Sequence, residues 1–315
     1  MNLRYPALRC ALLAGAALCA TPVLAAAADD EAPPRTVSGV VVQGEAPAPQ
    51  PGQPLSTQQL GAEEIAATVN ATTVEDTLKY LPNVFVRRRH IGDTQAPMTT
   101  RTSGVGSSAR SLIYADGVLL SALIGNNNSS ASPRWGMVAP EEIARIDVLY
   151  GPFSAAYAGN SIGAVVNITT RKPEAFEAQA KVSAGVQRFK QYATGDDYPT
   201  YAASASLGDR RGPFSWRVSG AHLETRGQPL SYVTASRPAN PGAAGTPVSG
   251  AFADVNRTGT PIVVLGAGGL ERQNQDNAKL KVEWEVTPTL TAGYLVGFFG
   301  NRTEAHVESY LRNAA

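Results

Sequence analysis

The sequence predicts a small α+β domain, a mixed sheet with short helices, followed by antiparallel transmembrane β-barrel strands that do not complete a barrel. Three observations lead to this prediction. Glycine (30) and proline (22) are plentiful, which favours short strands and many turns. Residues 145–173 contain two apolar strands around a glycine-rich connection. Beyond Pro173, polar and apolar residues alternate along whole strands, as in a wall with one face toward lipid.

The first residues have the order of a secretory signal peptide. Arg4 and Arg9 precede an apolar run, Cys10–Ala20, and small residues suited to cleavage follow, so we assign residues 1–28 to the signal. The apolar run is too short for a membrane-spanning anchor. Both cysteines lie in this segment, so we expect neither a disulfide nor thiol chemistry in the exported part.

Residues 29–59 are rich in Ala, Pro, Gln and Gly and are expected to be extended or disordered. They contain one β-prone run: Thr36, Val37, Ser38, Gly39, Val40, Val41 and Val42. A run this short invites pairing with the edge of a partner's sheet. The alternative is that it forms a strand of the domain that follows.

Helices are predicted near the start of a globular part that we place at residues 60–173. The first covers 61–67. The second follows a capping box of Thr72 and Glu75, buries Leu78 and Leu81, and ends at Pro82. A third helical turn opens at Pro140 with two acids behind it.

Strands complete this domain. The predicted ones are Val84–Val86, Ser111–Tyr114 with a tight Asp116-Gly117 turn returning through Val118–Leu120, Ile146–Leu149 and Ala164–Thr170. Between the last two, Gly151-Pro152 breaks the first strand, Ser154–Tyr157 forms one helical turn, and Gly159 and Gly163 allow the reversal.

No catalytic, metal or nucleic-acid site is predicted. A net charge of +1 with 17% charged residues gives no basic field for nucleic acid. His90, His222 and His306 are far apart in sequence, and the glycine-rich 159–164 segment lacks the lysine of a phosphate loop. The basic run Arg87–His90 is open to two interpretations, a patch that binds phosphate or nucleic acid, or an edge that is solvated or paired with acids, and the second is favoured. We expect no enzyme activity and no cofactor.

An ordered series of motifs over residues 60–173 resembles the plug domain of TonB-dependent outer-membrane receptors. It runs from helix-Leu-Pro-Asn-Val through strand-Asp-Gly-Val, Trp-Gly and Pro-Glu-Glu-Ile-Ala-Arg-Ile-Asp-Val-Leu to Gly-x-x-Ile-Gly-x-Val-Val-Asn-Ile-Thr-Thr-Arg. Two departures concern single contacts: Tyr150 replaces the usual Arg before Gly-Pro, and Arg101–Gly104 stretches an Arg-Gly step.

The resemblance implies partners and sites. Thr36–Val42 is expected to be the segment that binds TonB, which is coupled to an inner-membrane energising complex. Two polar plug loops are expected to face a small-molecule ligand, in the first place a metal chelate. Their candidate ligand-binding residues are His90, Asp93, Gln95, Arg101, Asn126, Asn127, Asn128, Arg134 and Trp135.

Barrel strands are predicted after the plug, over residues 174–315. They are expected near 176–187, 200–208, 214–226, 277–286 and 290–300, with short turns at one end and longer loops, including an excursion to about Asn274, at the other. Phe176, Phe214, Trp216 and Trp284 are expected to form an aromatic girdle. A barrel that holds a plug has about 22 strands, so we expect a truncated product or a partial sequence.

Two functions remain open at this point. The first is energy-coupled uptake across the outer membrane of a Gram-negative bacterium, of a ferric siderophore before cobalamin, other metal chelates or glycans. The second is a truncated, non-transporting remnant that binds only ligand or TonB. A passive porin is disfavoured, because porins have no plug.

Overall fold

The computed structural model describes residues 56–101, 104, 110–122, 132–151, 157, 159–237 and 247–313. The predicted signal peptide and Thr36–Val42 therefore lie outside the described residues, as does most of the connection between Gly151 and Gly159. The strands of the small domain are β1 (Ser56–Gly61), β2 (Val84–Val86), β3 (Met98–Thr100), β4 (Leu112–Ala115), β5 (Val118–Leu119), β6 (Ile143–Tyr150) and β7 (Ala164–Thr170).

A five-stranded mixed sheet organises the small domain. Its order is β1-β6-β7-β4-β5, with β4 and β7 parallel and the other neighbours antiparallel. Strand β7 is central, so its run Ala164–Val166 is buried on both faces. The predicted hairpin is confirmed: Asp116 and Gly117 both have positive φ (46° and 79°), as a type I′ turn requires. Strand β1 was not predicted, because its polar sequence has no apolar phase of its own.

Short helices pack against this sheet. They are α1 (Ala62–Thr68) and 3₁₀ turns at Val74–Leu78, Trp135–Met137 and Pro140–Glu142. The predicted capping box is wrong by one residue: it is formed by Thr73 and Asp76, whose carboxylate accepts from Thr72 N (2.9 Å) and Thr73 N (3.1 Å). Thr72–Glu75 has the same spacing, but Glu75 turns inward and is buried. None of the helices in the described residues is long and apolar enough to cross a membrane.

The second part of the chain is mainly a seven-stranded antiparallel sheet. Its long strands are β8 (Glu177–Gln191), β9 (Thr194–Arg211) and β10 (Phe214–Arg226), followed by β11 (Ser231–Ser236), β12 (Val248–Ser249), β13 (Phe252–Val255), β14 (Pro261–Thr287), β15 (Leu290–Ser309) and β16 (Arg312–Asn313). The order is β11-β14-β10-β9-β8, with β13 and β15 also paired to β14. No closed barrel exists in the described part of the chain.

The long strands extend further than predicted at one end. A two-residue turn, Tyr192-Ala193, joins β8 to β9 where a loop of about a dozen residues was expected, and β14 begins at Pro261 rather than near residue 277. The physical reason is cross-strand pairing of polar side chains beyond the apolar part of the wall. His222 on β10 pairs with Asp276 on β14 at 2.7 Å.

The alternation of the long strands is confirmed. Along β8 every second side chain points outward, and Val182 is 83% exposed, whereas Gln179, Lys181 and Ser183 face the small domain. Phe214 and Trp284 lie directly opposite each other on the outward face, and both are exposed. We call the inward-facing side of β8, β9, β10, β14 and β15 the wall. The small domain lies against it.

Candidate functional site at the interface of the small domain and the wall

The loop Arg89–Asp93, here called the docking loop, is fastened to the wall through its backbone. Three wall side chains donate to loop carbonyl oxygens: Gln228 Nε2 to Arg89 O (2.5 Å), Thr225 Oγ1 to Ile91 O (2.7 Å) and Gln275 Nε2 to Gly92 O (2.6 Å). Such bonds need an exposed backbone, and the loop provides one because Gly92 adopts φ +75°.

Asp93 holds the docking loop in shape. Its carboxylate accepts from Arg89 N (2.9 Å) and Gln95 N (2.8 Å), which closes the turn, and also from the Arg89 guanidinium (2.7 and 2.8 Å). Burial alone would raise the pKa of Asp93, but these hydrogen bonds outweigh burial and hold its pKa below the usual range. The hydrogen bond with Asp93 likewise raises the pKa of Arg89. The loop is therefore a permanently charged unit at neutral pH.

Arg89 also joins the loop to the wall electrostatically. Its Nη2 lies 3.2 Å from Glu271 Oε2 on β14. The favoured interpretation of the basic run Arg87–His90, an edge paired with acids, is confirmed for Arg89 and for Arg88, which forms an ion pair with Asp76.

His90 lies beneath this ion pair. Its side chain is 1% exposed, Nδ1 is 3.0 Å from Ile91 O, and Nε2 is 3.7 Å from Glu271 Oε2 without a hydrogen-bond partner. His90, Asp93 and Glu271 offer donor atoms within 4.8 Å of one another, an arrangement that could hold a metal ion. The Arg89 guanidinium lies between the two carboxylates, so an ion would bind there only after Arg89 had moved away.

A second set of contacts joins acids of the small domain to lysines of the wall. The ion pairs are Glu141 with Lys181 (3.0 Å), Glu142 with Lys279, and Asp116 with Lys281 (3.2 Å). Two wall serines donate to the same glutamates: Ser204 to Glu141 (3.0 Å) and Ser219 to Glu142. Because Lys279 and Glu142 are 10% and 4% exposed, this pair is shielded from solvent.

A cavity of about 100 Å³ separates the small domain from the wall between these two sets of contacts. Glu75 and Arg134 line it from the small domain, and Lys181 and Gln275 from the wall. Burial raises the pKa of Glu75 to about 7, and its Oε2 has no hydrogen-bond partner. The carboxyl group of Glu75 therefore gains or loses its proton near physiological pH.

The predicted ligand-binding residues do not form one surface. His90 and Asp93 are buried in the docking loop, and Trp135 is buried with its Nε1 donating to Ala96 O at 2.7 Å. Their side chains are buried and, apart from Nε2 of His90, are hydrogen-bonded inside the protein, so the expectation that they face a ligand is not met in this structure. Gln95 is half-buried, whereas Arg101 and Arg134 are exposed. Asn126, Asn127 and Asn128 lie outside the described residues.

Sequence reasoning missed the wall residues that complete the interface. Glu271, Gln275 and Gly227 lie in or beside what was expected to be a long loop ending near Asn274. The one available signal was the polar phase of residues 271, 273 and 275, which continues the inward phase of Lys279 and Lys281.

Comparisons with known proteins bear on the whole chain. Residues 49–165 match the family model described as TonB-dependent Receptor Plug Domain. Two similar solved structures are a variant of the ferric enterobactin receptor PfeA from Pseudomonas aeruginosa in complex with enterobactin (20% identity, TM-score 0.50, covering 80% of this chain) and the siderophore receptor PirA from Acinetobacter baumannii (17%, 0.52, 78%). The chain spans about a third of their lengths, 34% and 32%. A search of curated protein sequences finds no match.

Proposed function

We propose that this chain, whose residues 49–165 match the plug domain of TonB-dependent receptors and whose later strands are folded like the start of their barrel, belongs to that family and serves energy-coupled uptake of a scarce extracellular solute. The small domain is called the plug from here on. The solute we propose is a ferric siderophore, and the location is the outer membrane, reached through the signal peptide at residues 1–28. The plug and the N-terminal segment face the periplasm.

One observation carries this proposal: the plug and the wall have separate apolar cores. The main core cluster of buried residues contains only plug side chains, such as Leu78 and Ile146, whereas the cluster around Tyr198 and Leu270 contains only strand side chains. The two parts meet through many hydrogen bonds and ion pairs, which water can replace, and through a few apolar contacts such as that of the Phe299 ring with Gly136. A plug held in this way can leave the wall without exposing its core, as transport past it requires.

TonB is the proposed partner, with its inner-membrane energising complex. We place its contact at Thr36–Val42, because a short β-prone run in a segment rich in Ala, Pro and Gln suits strand addition to a partner's sheet. Force applied there reaches the plug through β1, which is the edge strand of the mixed sheet and the first described element after that segment.

The siderophore assignment is supported by the proteins of similar fold, of which one is a ferric enterobactin receptor and another a siderophore receptor. Among the predicted ligand-binding residues, the exposed Arg101 and Arg134 remain candidates for contact with it, together with Gln95 and with the undescribed Asn126, Asn127 and Asn128. We propose no catalytic role for any residue.

Uptake of ⁵⁵Fe-labelled chelates tests this function. A strain lacking the gene is compared with the same strain carrying the gene and with a TonB-deficient strain carrying it. We expect uptake of at least one ferric siderophore only where both the gene and TonB are present. Uptake that is equal in all three strains, for every chelate supplied, contradicts the proposal, and binding without uptake favours the non-transporting alternative.

Deletion of residues 36–42 tests the TonB contact separately. The matched control removes seven residues from the same segment, 46–52, and so shortens it equally. We expect the first deletion to abolish uptake without loss of receptor from the outer membrane, and the second to leave uptake unchanged. Full uptake after deletion of 36–42 would place the TonB contact elsewhere.

A further inference from the structure

Two wall lysines have their ion-pair partners on the plug. Lys181 pairs with Glu141, and Lys279 with Glu142. Among the described residues, neither lysine forms an ion pair with an acid of the wall. Other wall cations do: Arg217 pairs with Glu177, and Lys281 lies 3.6 Å from Glu283. Lys181 and Lys279 therefore depend on the plug for their counter-charge.

Each of these plug carboxylates is bound by the wall in the same way, by one lysine and one serine. Glu141 accepts from Ser204 at 3.0 Å and lies 3.0 Å from Lys181, and Glu142 accepts from Ser219 and Lys279. An ammonium and a hydroxyl directed at one carboxylate form a charge-assisted oxyanion site.

The two sites are neighbours on the wall. Ser204 lies opposite Lys181, and Ser219 lies opposite Lys279 in the ladder. Ser206 lies opposite Ser219 and two residues from Ser204, so small hydroxyl side chains connect the sites. The wall thus presents a short row of oxygen-binding groups, which the plug covers.

We infer that Lys181 with Ser204 and Lys279 with Ser219 are two oxyanion-binding sites, occupied by Glu141 and Glu142 at rest and taken by negatively charged groups of the solute when the plug moves. This rests on the proposed function and narrows it to an anionic solute. The plug carboxylates act as substitutes that keep the lysines paired until a solute with exposed carboxylate, phenolate or hydroxamate oxygens replaces them.

Exchanging the charges of Glu142 and Lys279 tests whether the wall lysine can bind anions or serves only to hold the plug in place. The variant carries Glu142→Lys with Lys279→Glu, which keeps an ion pair between plug and wall but puts a negative charge on the wall. The matched control exchanges Arg272→Glu with Glu224→Arg, a pair that joins β14, the strand of Lys279, to β10 on the outward face. Hydrogen exchange of the plug in the whole receptor verifies that it is seated in each protein.

The ion selectivity of the receptor with its plug displaced then measures the charge on the wall. The whole receptor is placed in a planar bilayer under a KCl gradient, and urea on the periplasmic side displaces the plug. We expect the exchange of Glu142 and Lys279 to lower the permeability of chloride relative to potassium by about twofold or more, because replacing a positive by a negative side chain on the lumen wall changes the local concentrations of anions and cations. The control exchange is expected to leave the ratio unchanged.

An unchanged ratio in the Glu142/Lys279 exchange would overturn the inference, because the lysine would then serve only to hold the plug. A parallel uptake experiment with ferric enterobactin, an anionic chelate, keeps the two proposals distinct. If the wild-type receptor imports no ferric chelate but the exchange alters selectivity, the proposed solute is wrong and the oxyanion sites stand. If uptake occurs but selectivity is unaltered, the function stands and the sites are wrong.

Discussion

Gly227, just after β10, lies against the imidazole ring of His90: a Cβ at this position would be 2.5 Å from Cδ2 and 2.9 Å from Cγ. No real Cβ approaches a ring atom so closely, so a side chain here would push the docking loop away from the wall. The contact explains why a buried histidine can lie at the base of this loop, and it offers a direct way to loosen the loop.

We therefore predict that Gly227→Ala weakens docking by about 1–3 kcal/mol, the usual cost of overpacking. Hydrogen exchange of residues 89–93 in the whole receptor measures it. Adding His90→Ala should restore protection of the loop, because the clashing ring is removed. Gly293→Ala is the matched control, since no atom lies within 4 Å of a Cβ there. Equal loss of protection in the single and the double variant would contradict the clash.

The buried pair of Lys279 and Glu142 makes a second prediction. Lys279→Met leaves a carboxylate uncompensated between plug and wall, so we expect plug docking to weaken by about 3–5 kcal/mol. Glu142→Gln in the same protein removes that charge and should recover most of the loss. Hydrogen exchange of strand β6 in the whole receptor measures both. Additive losses in the double variant would show that the two side chains are not coupled.

The alternating strands could be predicted from sequence because one face is apolar and exposed while the other is polar and lies against the plug, so polar and apolar residues alternate along each strand. Val182 and Lys181 illustrate the two phases. The central strand β7 was likewise evident, because it is apolar on both faces. Each of these patterns is visible in consecutive residues, so these strands could be predicted without knowing which distant residues they contact.

The interface could not be predicted in the same way, because its contacts join residues far apart in sequence. Trp135 lies beside a polar loop and was assigned to ligand binding, but its burial depends on Ala96, 39 positions earlier. Glu271 has no local feature that distinguishes it from any other charged side chain on a strand. The predicted capping box was wrong for a different reason. Thr72–Glu75 and Thr73–Asp76 both have the required spacing, and only the burial of Glu75 selects the second pair.

Trp135 also supports a stability prediction. Trp135→Phe keeps an aromatic six-membered ring but removes the pyrrole ring with its Nε1–H. The buried Ala96 carbonyl loses its 2.7 Å donor, at a cost of about 1–3 kcal/mol, and the missing ring atoms leave a small cavity that adds to this cost. Hydrogen exchange around residues 96 and 135 measures this change. Trp284→Phe, on the outward face where the indole is 52% exposed, is the control and should leave plug protection unchanged. Wild-type protection in Trp135→Phe would mean that water replaces the lost donor.

The pKa of Glu75 predicts how plug stability depends on pH. Its folded-state pKa of about 7 lies above the ordinary glutamate pKa of 4.5, so the folded plug binds a proton that the unfolded plug releases. Stability therefore falls as pH rises from about 4.5 to about 7 and is constant above that, a total of about 3 kcal/mol. Glu75→Gln cannot ionise, so it should stabilise the plug at pH 8 by a similar amount and have no effect at pH 4.

Hydrogen exchange of the Val74–Leu78 turn in the whole receptor at several pH values, corrected for the intrinsic exchange rate, measures this dependence. Glu64→Gln is the matched control, because Glu64 is an exposed glutamate on α1 and should not change the pH profile. If Glu75→Gln destabilised the turn equally at low and high pH, Glu75 would be accepting hydrogen bonds as a carboxylate. Its burial beside the cavity would then have to be offset by a charge or by water that reaches Oε2.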